Sequence, residues 1–179
     1  MPGPAPPNVT GFVGGGFNVS RTEPRCMSLV AAVAVSWTTT EGQLNQLVAT
    51  ALGQASLQES GSVGVIPNWV ALTAMQQAET IRTRLKLVRA LIVPRLGVRH
   101  LESWKSVEKL LLQRSRERNA IVHADWHYSD LLPGNIVRFH EGVWEVWSEA
   151  DFMQVARRFH KLGMKIGMLN HDISRSSVA

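Results

Sequence analysis

The chain of 179 residues contains one cysteine, carries a net charge of +5, and is 45% hydrophobic. This length and hydrophobic content predict one globular domain with a buried core and exclude a mostly disordered chain. A single cysteine excludes an intramolecular disulfide and any zinc site built from several cysteines. Fourteen arginines against five lysines favour a polyanionic partner.

Hydropathy predicts a cytoplasmic protein without a membrane segment. No stretch reaches the roughly 18 consecutive apolar residues of a membrane-spanning helix. The apolar run from Met27 to Trp37 begins too late for a signal peptide and continues directly into an amphipathic pattern. No motif implies a cofactor. No metal is expected either, because the polar cluster that begins at Asp125 matches no ligand spacing: Asp125, His127, Asp130 and His140.

The N-terminal part of the sequence predicts a flexible arm followed by helix. Residues 1–25 contain five prolines and three consecutive glycines, which favour an arm without regular structure. From Ser28 to Leu52, apolar residues recur at steps of three and four, which is typical of a helix. Gly42 interrupts this pattern, so the sequence leaves open whether the region forms one helix or two.

The middle of the chain predicts two more helices. Residues 54–65 are rich in Ser, Gly and Gln and are interpreted as a connection, with Pro67 at a helix start. An apolar stripe from Trp69 to Ile92 then predicts one long helix that stops before Pro94. A third helix is expected from Glu102 to His123.

The residues after 135 predict a β-hairpin. Ile136–His140 and Val143–Trp147 flank Glu141-Gly142, which suits a two-residue turn. Pairing across this turn places Val137 and Phe139 opposite Val146 and Trp144, and Arg138 opposite Glu145. We expect the apolar face of this hairpin to pack on the helices.

The last helix has the clearest pattern. Ser148 and Asp151 form a capping arrangement at its start. The apolar seam that follows is typical of a bundle helix: Phe152, Val155, Phe159, Leu162, Ile166 and Leu169. The fold class predicted from these elements is all-α, an antiparallel bundle of four to five helices with a small β-hairpin before the last helix. The bundle is expected over residues 26–170, with a short tail over 171–179.

Arg118, Asn119 and His123 form the best candidate for a catalytic site. Arg followed by a polar residue and then, after four to six residues, by His resembles the HEPN superfamily, and so does the tryptophan-acidic segment Trp37–Glu41. The resemblance covers residues 28–170. It implies a compact helical domain whose members often pair to form a metal-independent RNA-cleaving site. It also implies a defence or toxin setting, with an antitoxin or other protein partner.

The chemistry of these residue types agrees with RNA cleavage. RNA carries its own nucleophile, the 2′-hydroxyl, so a nuclease needs a proton shuttle and a group that stabilises the developing negative charge. An imidazole such as that of His123 both accepts and donates protons. The guanidinium of Arg118 matches phosphate oxygens. Asn119 would hold the imidazole or contact phosphate itself.

Helix geometry restricts how this motif can work. Residues five apart on a regular helix are rotated by about 140° and separated by about 7.5 Å. Arg118 and His123 therefore converge only if the helix ends before His123 or if two chains contribute paired motifs. A purely structural role is the competing interpretation, with Arg118 in an ion pair and His123 at the carbonyl end of its helix.

Two further features complete the prediction. Arg95 and His100 repeat the Arg-x4-His spacing, but without a polar residue after the arginine and across the break at Pro94 and Gly97. Four basic residues are expected to contact RNA: Arg114, Arg157, Arg158 and Lys161.

The sequence thus predicts a homodimeric, metal-independent endoribonuclease. The alternative is a non-catalytic module for dimerisation or for RNA or protein interaction, which would use the Phe152–Leu169 face or the hairpin.

Overall fold

A computed structural model describes residues 2–6, 17–57, 63–93, 96 and 98–176. The chain divides into two compact units. The first, called here the sheet unit, comprises residues 1–37 and 116–159. The second, called the helical unit, comprises residues 38–115 and 160–179.

The described residues form helices and short strands that alternate along the chain. The helices are α1 (Phe17–Thr22), α2 (Pro24–Ala51), α3 (Trp69–Gln77), α4 (Ile81–Leu91), α5 (Val98–Val122) and α6 (Glu149–Ser176). The strands are β1 (Gly3–Pro4), β2 (Gln54–Leu57), β3 (Val63–Ile66), β4 (Trp126–His127), β5 (Asn135–His140) and β6 (Val143–Ser148). Within the described residues no helix is both long enough and apolar enough to cross a membrane.

The predicted all-α fold class is wrong, because the chain is a mixed α/β protein. Four strands form an antiparallel sheet in the order β1-β6-β5-β4, and β2 and β3 form a separate antiparallel pair. The sequence predicted only β5 and β6. The two-residue strands β1 and β4 extend that hairpin on both sides, with Gly3 opposite Val146 and Trp126 opposite Arg138.

One predicted helix and one predicted connection also need correction, and one open question is answered. Helix α2 runs without interruption from Pro24 to Ala51, so Gly42 does not divide it. The single helix predicted from Trp69 to Ile92 is instead two helices, because the Thr80 hydroxyl accepts a hydrogen bond from Thr83 N and begins α4 as an N-cap. The predicted connection over residues 54–65 contains β2 and the start of β3.

The predicted hairpin is confirmed in its turn and its register. Val137 lies opposite Val146, and Arg138 lies opposite Glu145. Glu141 and Gly142 have φ values of 50° and 84°, the positive values that a two-residue turn between twisted strands requires.

The face of the hairpin that meets the helices is not the predicted one. Arg138 is 7% exposed and donates a hydrogen bond to Ala120 O in α5, and Trp147 packs against Phe152 of α6. On the opposite face Phe139 is 60% exposed, although Val137 of the same face is fully buried. The arginine therefore points inward because its charge is paired and its hydrogen bonds are made within the sheet unit.

Aromatic rings form the centre of the sheet unit. The Trp126 ring centroid lies 5.6 Å from that of Trp147 and 5.4 Å from that of Phe152, both in edge-on arrangements. Trp37 and Phe159 make a similar contact at 5.6 Å. Such pairs add about 0.5–1.5 kcal/mol each beyond the burial of apolar area. The Trp126–Phe152 contact holds the first turn of α6 against the sheet, and the Trp37–Phe159 contact joins α6 to α2.

The helical unit has an aliphatic core around one tryptophan. Its fully buried side chains come from α2, α3, α4, α5 and α6: Leu44, Leu47, Met75, Val88, Trp104, Leu111 and Ile166. The apolar seam of α6 is buried throughout, from Phe152 at 0% exposure to Leu169 at 4%. The Phe152–Leu169 face is therefore core, and it is not available as a dimerisation face.

Both ends of the predicted domain contain more regular structure than expected. Residues 17–22 and 24–25 of the predicted arm are helical, and Val19 is fully buried. Residues 7–16 of the arm lie outside the described residues. Helix α6 continues to Ser176 through most of the predicted tail. Ser148 caps α6 as predicted, since its hydroxyl lies 2.6 Å from Asp151 Oδ2 and accepts from Asp151 N.

Candidate active site

The predicted motif lies at the C-terminal end of α5, in the sheet unit. Arg118 and Asn119 belong to the last turns of the helix, which ends at Val122, and His123 is the first residue after it. The His123 amide still donates to Asn119 O at 3.1 Å, whereas Ala124 N donates to Ile121 O, only three residues back. The helix thus tightens and stops at His123.

Arg118 and His123 meet within one chain. Arg118 Nη1 lies 3.3 Å from His123 Nε2. Of the two arrangements that helix geometry allowed, the structure has the one in which the helix ends before His123. The long arginine side chain spans the remaining offset between the two backbone positions.

The contact sets the hydrogen-bond roles of the pair. A guanidinium only donates hydrogen bonds, so as a hydrogen bond the contact makes His123 Nε2 the acceptor and requires the tautomer with the ring proton on Nδ1. His123 is exposed and Arg118 is half-buried. Because Arg118 occupies this lone pair, the imidazole can accept a proton from a hydroxyl near a phosphate only once the guanidinium turns from the ring to the phosphate.

Asn119 contacts the arginine of this pair. Its Oδ1 accepts a hydrogen bond from Arg118 Nη1 at 2.9 Å. Of its side-chain contacts, the structure shows the one in which Asn119 Oδ1 orients the guanidinium, and the predicted roles of holding the imidazole or contacting phosphate stay predictions. Arg118 Nη1 is shared between Asn119 and His123, which leaves the Nη2 group to face a ligand.

Two side chains from the sheet fix the end of α5. The last four carbonyls of a helix have no amide partner within it. Arg138 donates to Ala120 O, and Trp126 Nε1 donates to Ile121 O at 3.0 Å. Since these carbonyls lie directly between Asn119 and Val122, the sheet sets the position from which His123 leaves the helix.

Arg138 is itself held by a carboxylate and an aromatic ring. Its Nε donates to Glu145 Oε2 at 2.8 Å, and its guanidinium carbon lies 4.9 Å from the centroid of Trp147. Burial alone would raise the pKa of the Glu145 carboxyl, but hydrogen bonds from Arg138 and Trp147 outweigh it and lower the pKa below its usual range. The group is a satisfied buried charge pair.

The four residues predicted to contact RNA are divided between the two units. Arg157 and Arg158 belong to the sheet unit, whereas Arg114 and Lys161 belong to the helical unit. Arg158 is engaged in an ion pair with Glu117, and Arg114 is half-buried. Arg157 and Lys161 are exposed. Exposure therefore favours Arg157 and Lys161 as the residues that could contact a phosphate backbone.

The other polar candidates form fewer contacts that could support catalysis or metal binding. His127 Nε2 lies 3.2 Å from Asp125 Oδ2, and the His127 ring packs edge-on against Trp144 at 5.2 Å. Among the described residues no group of three or more His, Cys, Asp or Glu side chains is arranged to hold a metal ion. Arg95 of the second Arg-x4-His segment lies outside the described residues.

Arg138 is the important residue that the sequence did not single out. Its pairing with Glu145 was predicted, but its contact with α5 was not. One signal was present, because Arg138 shares its strand with Ile136, Val137 and Phe139, which are residue types typical of a core.

Comparisons of the chain with protein-family models, with curated proteins and with solved structures found no match.

Proposed function

We propose that this protein is a metal-independent endoribonuclease of the HEPN type, with Arg118, Asn119 and His123 as its catalytic site. The observation that carries the proposal is the 3.3 Å separation of Arg118 Nη1 and His123 Nε2 on an exposed helix end. It brings a proton acceptor and a permanent cation together, which are the two groups that cleavage through the 2′-hydroxyl requires.

The proposed reaction begins with the 2′-hydroxyl of the RNA. When Arg118 turns from the imidazole to the phosphate, it releases His123 Nε2, which accepts the hydroxyl proton while the 2′-oxygen attacks the adjacent phosphorus. Arg118 donates hydrogen bonds to the non-bridging oxygens as their negative charge develops. The bond from phosphorus to the 5′-oxygen breaks, and that oxygen takes up a proton. The products are a 2′,3′-cyclic phosphate and a 5′-hydroxyl end.

The stereochemistry of this reaction favours a homodimer. Attacking and leaving oxygens lie roughly in line on opposite sides of the phosphorus. A single imidazole beside the 2′-hydroxyl is therefore badly placed to protonate the leaving oxygen. A second copy related by a two-fold axis would supply His123 on the other side.

The wider setting of the proposal comes from the resemblance to HEPN proteins. It comprises RNA as substrate, a defence or toxin context in the cytoplasm, and an antitoxin or other protein as partner. Arg157 and Lys161 are exposed and are the proposed contacts to the RNA backbone. Arg158 is paired with Glu117, and Arg114 adds positive charge that attracts the backbone from a distance.

A cleavage assay in EDTA tests the proposal. A mixed-sequence RNA is incubated with the wild type, His123→Ala and Arg118→Ala, all purified identically. We expect wild-type cleavage with 2′,3′-cyclic phosphate ends, and a loss of about 10²–10⁴-fold in each variant because a shuttle or a charge-stabilising group is removed. An all-deoxy oligonucleotide of the same sequence should remain intact.

Matched control variants distinguish cleavage at the proposed site from cleavage by a contaminating nuclease, and a specific loss of activity from a loss of folding. Arg116→Ala removes an exposed arginine of the same helix, and His171→Ala removes an exposed histidine of α6. Both should cleave like the wild type. Equal cleavage by all five proteins, or intact RNA with every one of them, would contradict the proposal.

The alternative function is a non-catalytic module for dimerisation or for RNA or protein interaction. Phe139 favours it, because this large side chain is 60% exposed on the outer face of the sheet, 5.4 Å from the Trp144 ring. If the hairpin is the interface, Phe139→Glu should convert a dimer into a monomer in sedimentation velocity. RNA would meanwhile stay intact with the wild type.

A further inference from the structure

A groove lies between α5 and α6 within the helical unit, and the motif at the end of α5 does not use it. Its volume is about 310 Å³. This is the lower end of the roughly 300–1,000 Å³ range of small-molecule sites and suits one or two inserted side chains. Four of its lining residues matter here: Ser106 and Val107 of α5, and Lys165 and Met168 of α6.

The groove has an apolar floor and an apolar rim. Val107 and Leu169 are buried at 3% and 4% exposure, whereas Met168 is 67% exposed. Met164, one turn earlier on α6, is 56% exposed. Two exposed methionines beside a groove form an adaptable apolar surface, because the unbranched thioether side chain adjusts to different partners.

Positive charge surrounds this apolar surface. The sequence of the helical unit contains twelve lysines and arginines against six acidic residues, whereas the sheet unit has seven against eight. Near the groove, Lys109, Lys161 and Lys165 are exposed, and none of them forms an ion pair with another described residue.

The acidic residues nearby neutralise only part of this charge. Glu102 is bound by Lys105 at 2.7 Å, and Glu108 is bound by Arg89 at 2.6 Å. Asp172 is the one carboxylate among the lining residues and balances Lys165, the one lysine among them. Lys109 and Lys161, exposed on the same two helices, leave an excess of positive charge that complements an acidic occupant.

We propose that this groove binds an acidic amphipathic segment of a partner protein. An apolar side chain of that segment enters between Val107 and Met168, and its carboxylates lie on Lys109 and Lys165. This is the arrangement of a helix bound in a groove, in which apolar anchors supply affinity and charges supply orientation. RNA fits less well, because the lining contains no aromatic ring on which a base could stack and no arginine.

Fluorescence anisotropy with a synthetic probe tests this proposal on the full chain. The probe is a labelled peptide of about 20 residues with leucine at helical three-four spacing and glutamate elsewhere. We expect saturable binding that Met168→Glu and Lys165→Glu each weaken at least about tenfold. Val70→Glu changes another exposed apolar residue of the helical unit, 81% exposed on α3, and should leave binding unchanged.

Control probes define the results that would overturn it. A peptide with lysine in place of glutamate should bind at least about tenfold more weakly. Equal binding of both peptides, or an unchanged affinity in Met168→Glu, would refute the proposal. A uridine oligonucleotide that binds in a Lys165-dependent manner while the acidic peptide does not bind would assign the surface to RNA. A dimer that Met168→Glu dissociates would assign it to a second copy. None of these readouts depends on RNA cleavage.

Discussion

The guanidinium of Arg138 donates a hydrogen bond to the backbone carbonyl of Ala120, and this contact joins the sheet to the end of α5. Ala120 lies between Asn119 and Ile121, so the bond acts on the helical turn from which His123 emerges. The strand and the helix end are 18 residues apart in sequence. A residue outside the motif therefore positions the motif.

Replacing Arg138 by methionine should destabilise the protein strongly. The change leaves the Ala120 carbonyl without its side-chain donor and the Glu145 carboxylate with only the Trp147 indole, and removal of one partner of a buried pair is costly. We expect a loss of about 3 kcal/mol in the free energy of unfolding, the low end for such pairs, because Glu145 is 22% exposed. Urea denaturation measures it. Arg157→Met on the surface should change the free energy by less than about 0.5 kcal/mol, and an equal loss in both variants would contradict the assignment.

Trp126→Phe should destabilise the protein at the end of α5 by less than Arg138→Met does. Phenylalanine keeps an aromatic ring near Trp147 and Phe152 but removes the indole N–H that donates to Ile121 O at 3.0 Å. The expected loss is about 1 kcal/mol in the free energy of unfolding, since Ala124 N still reaches the same carbonyl. Trp69→Phe is the control, because Trp69 is 67% exposed. Identical denaturation midpoints for the two variants would show that the hydrogen bond does not matter.

Stability should fall in acid partly through Asp151. Burial tends to raise the pKa of its carboxyl, but the hydrogen bonds from Ser148 contribute the largest opposing effects and the pKa lies below its usual value. A carboxyl with a lowered pKa in the folded state stabilises the protein above the ordinary carboxyl range, about pH 4, and loses this contribution as the pH falls through the lowered pKa. The free energy of unfolding of Asp151→Asn should therefore decrease less between neutral pH and about pH 3 than that of the wild type. Parallel pH profiles would refute this role.

Two substitutions of Asn119 distinguish its two candidate roles in catalysis. Asn119→Ala removes the acceptor for Arg118 Nη1 and should lower kcat about tenfold, less than Arg118→Ala, because the guanidinium remains but is less well oriented. Asn119→Asp keeps an acceptor for Arg118. If Asn119 only orients the arginine, the aspartate variant should retain more activity than the alanine variant. If Asn119 contacts phosphate, the added negative charge should make the aspartate variant the less active of the two.

Local signals in the sequence were sufficient for the long helices and for one hairpin. The apolar seam of α6 and the Ser148–Asp151 cap depend on residues within a few positions of each other. The same is true of the turn at Glu141 and Gly142, and its two-residue length alone fixed the register of Arg138 opposite Glu145.

The sheet could not be predicted because its remaining strands have no local signal. A strand of two residues such as β1 or β4 has no periodicity, and it exists only through pairing with a strand that is distant in sequence. The break between α3 and α4 was missed for a related reason. Apolar spacing continues across it, although α3 ends at Gln77 and a single polar group, the Thr80 hydroxyl, begins α4 as its N-cap.

For the candidate site, the sequence identified the residues but not their arrangement. Spacing on a straight helix left two possibilities for Arg118 and His123, and the position of the helix end decides between them. That position depends on Arg138 and Trp126, which follow the motif in the chain and reach it only in the folded state. A contact with a backbone carbonyl leaves no pattern in the sequence.

The Arg138–Ala120 bond also bears on when the site can form during synthesis. A nascent chain that has emerged only as far as Leu132 contains Arg118, Asn119 and His123 but not the strands that supply Arg138 and its partner Glu145. The end of α5 is then held by fewer groups, and the pair at its end is not yet fixed. The site is expected to become ordered only after the hairpin has emerged up to Ser148, so an incomplete chain would carry the proposed catalytic residues without their geometry.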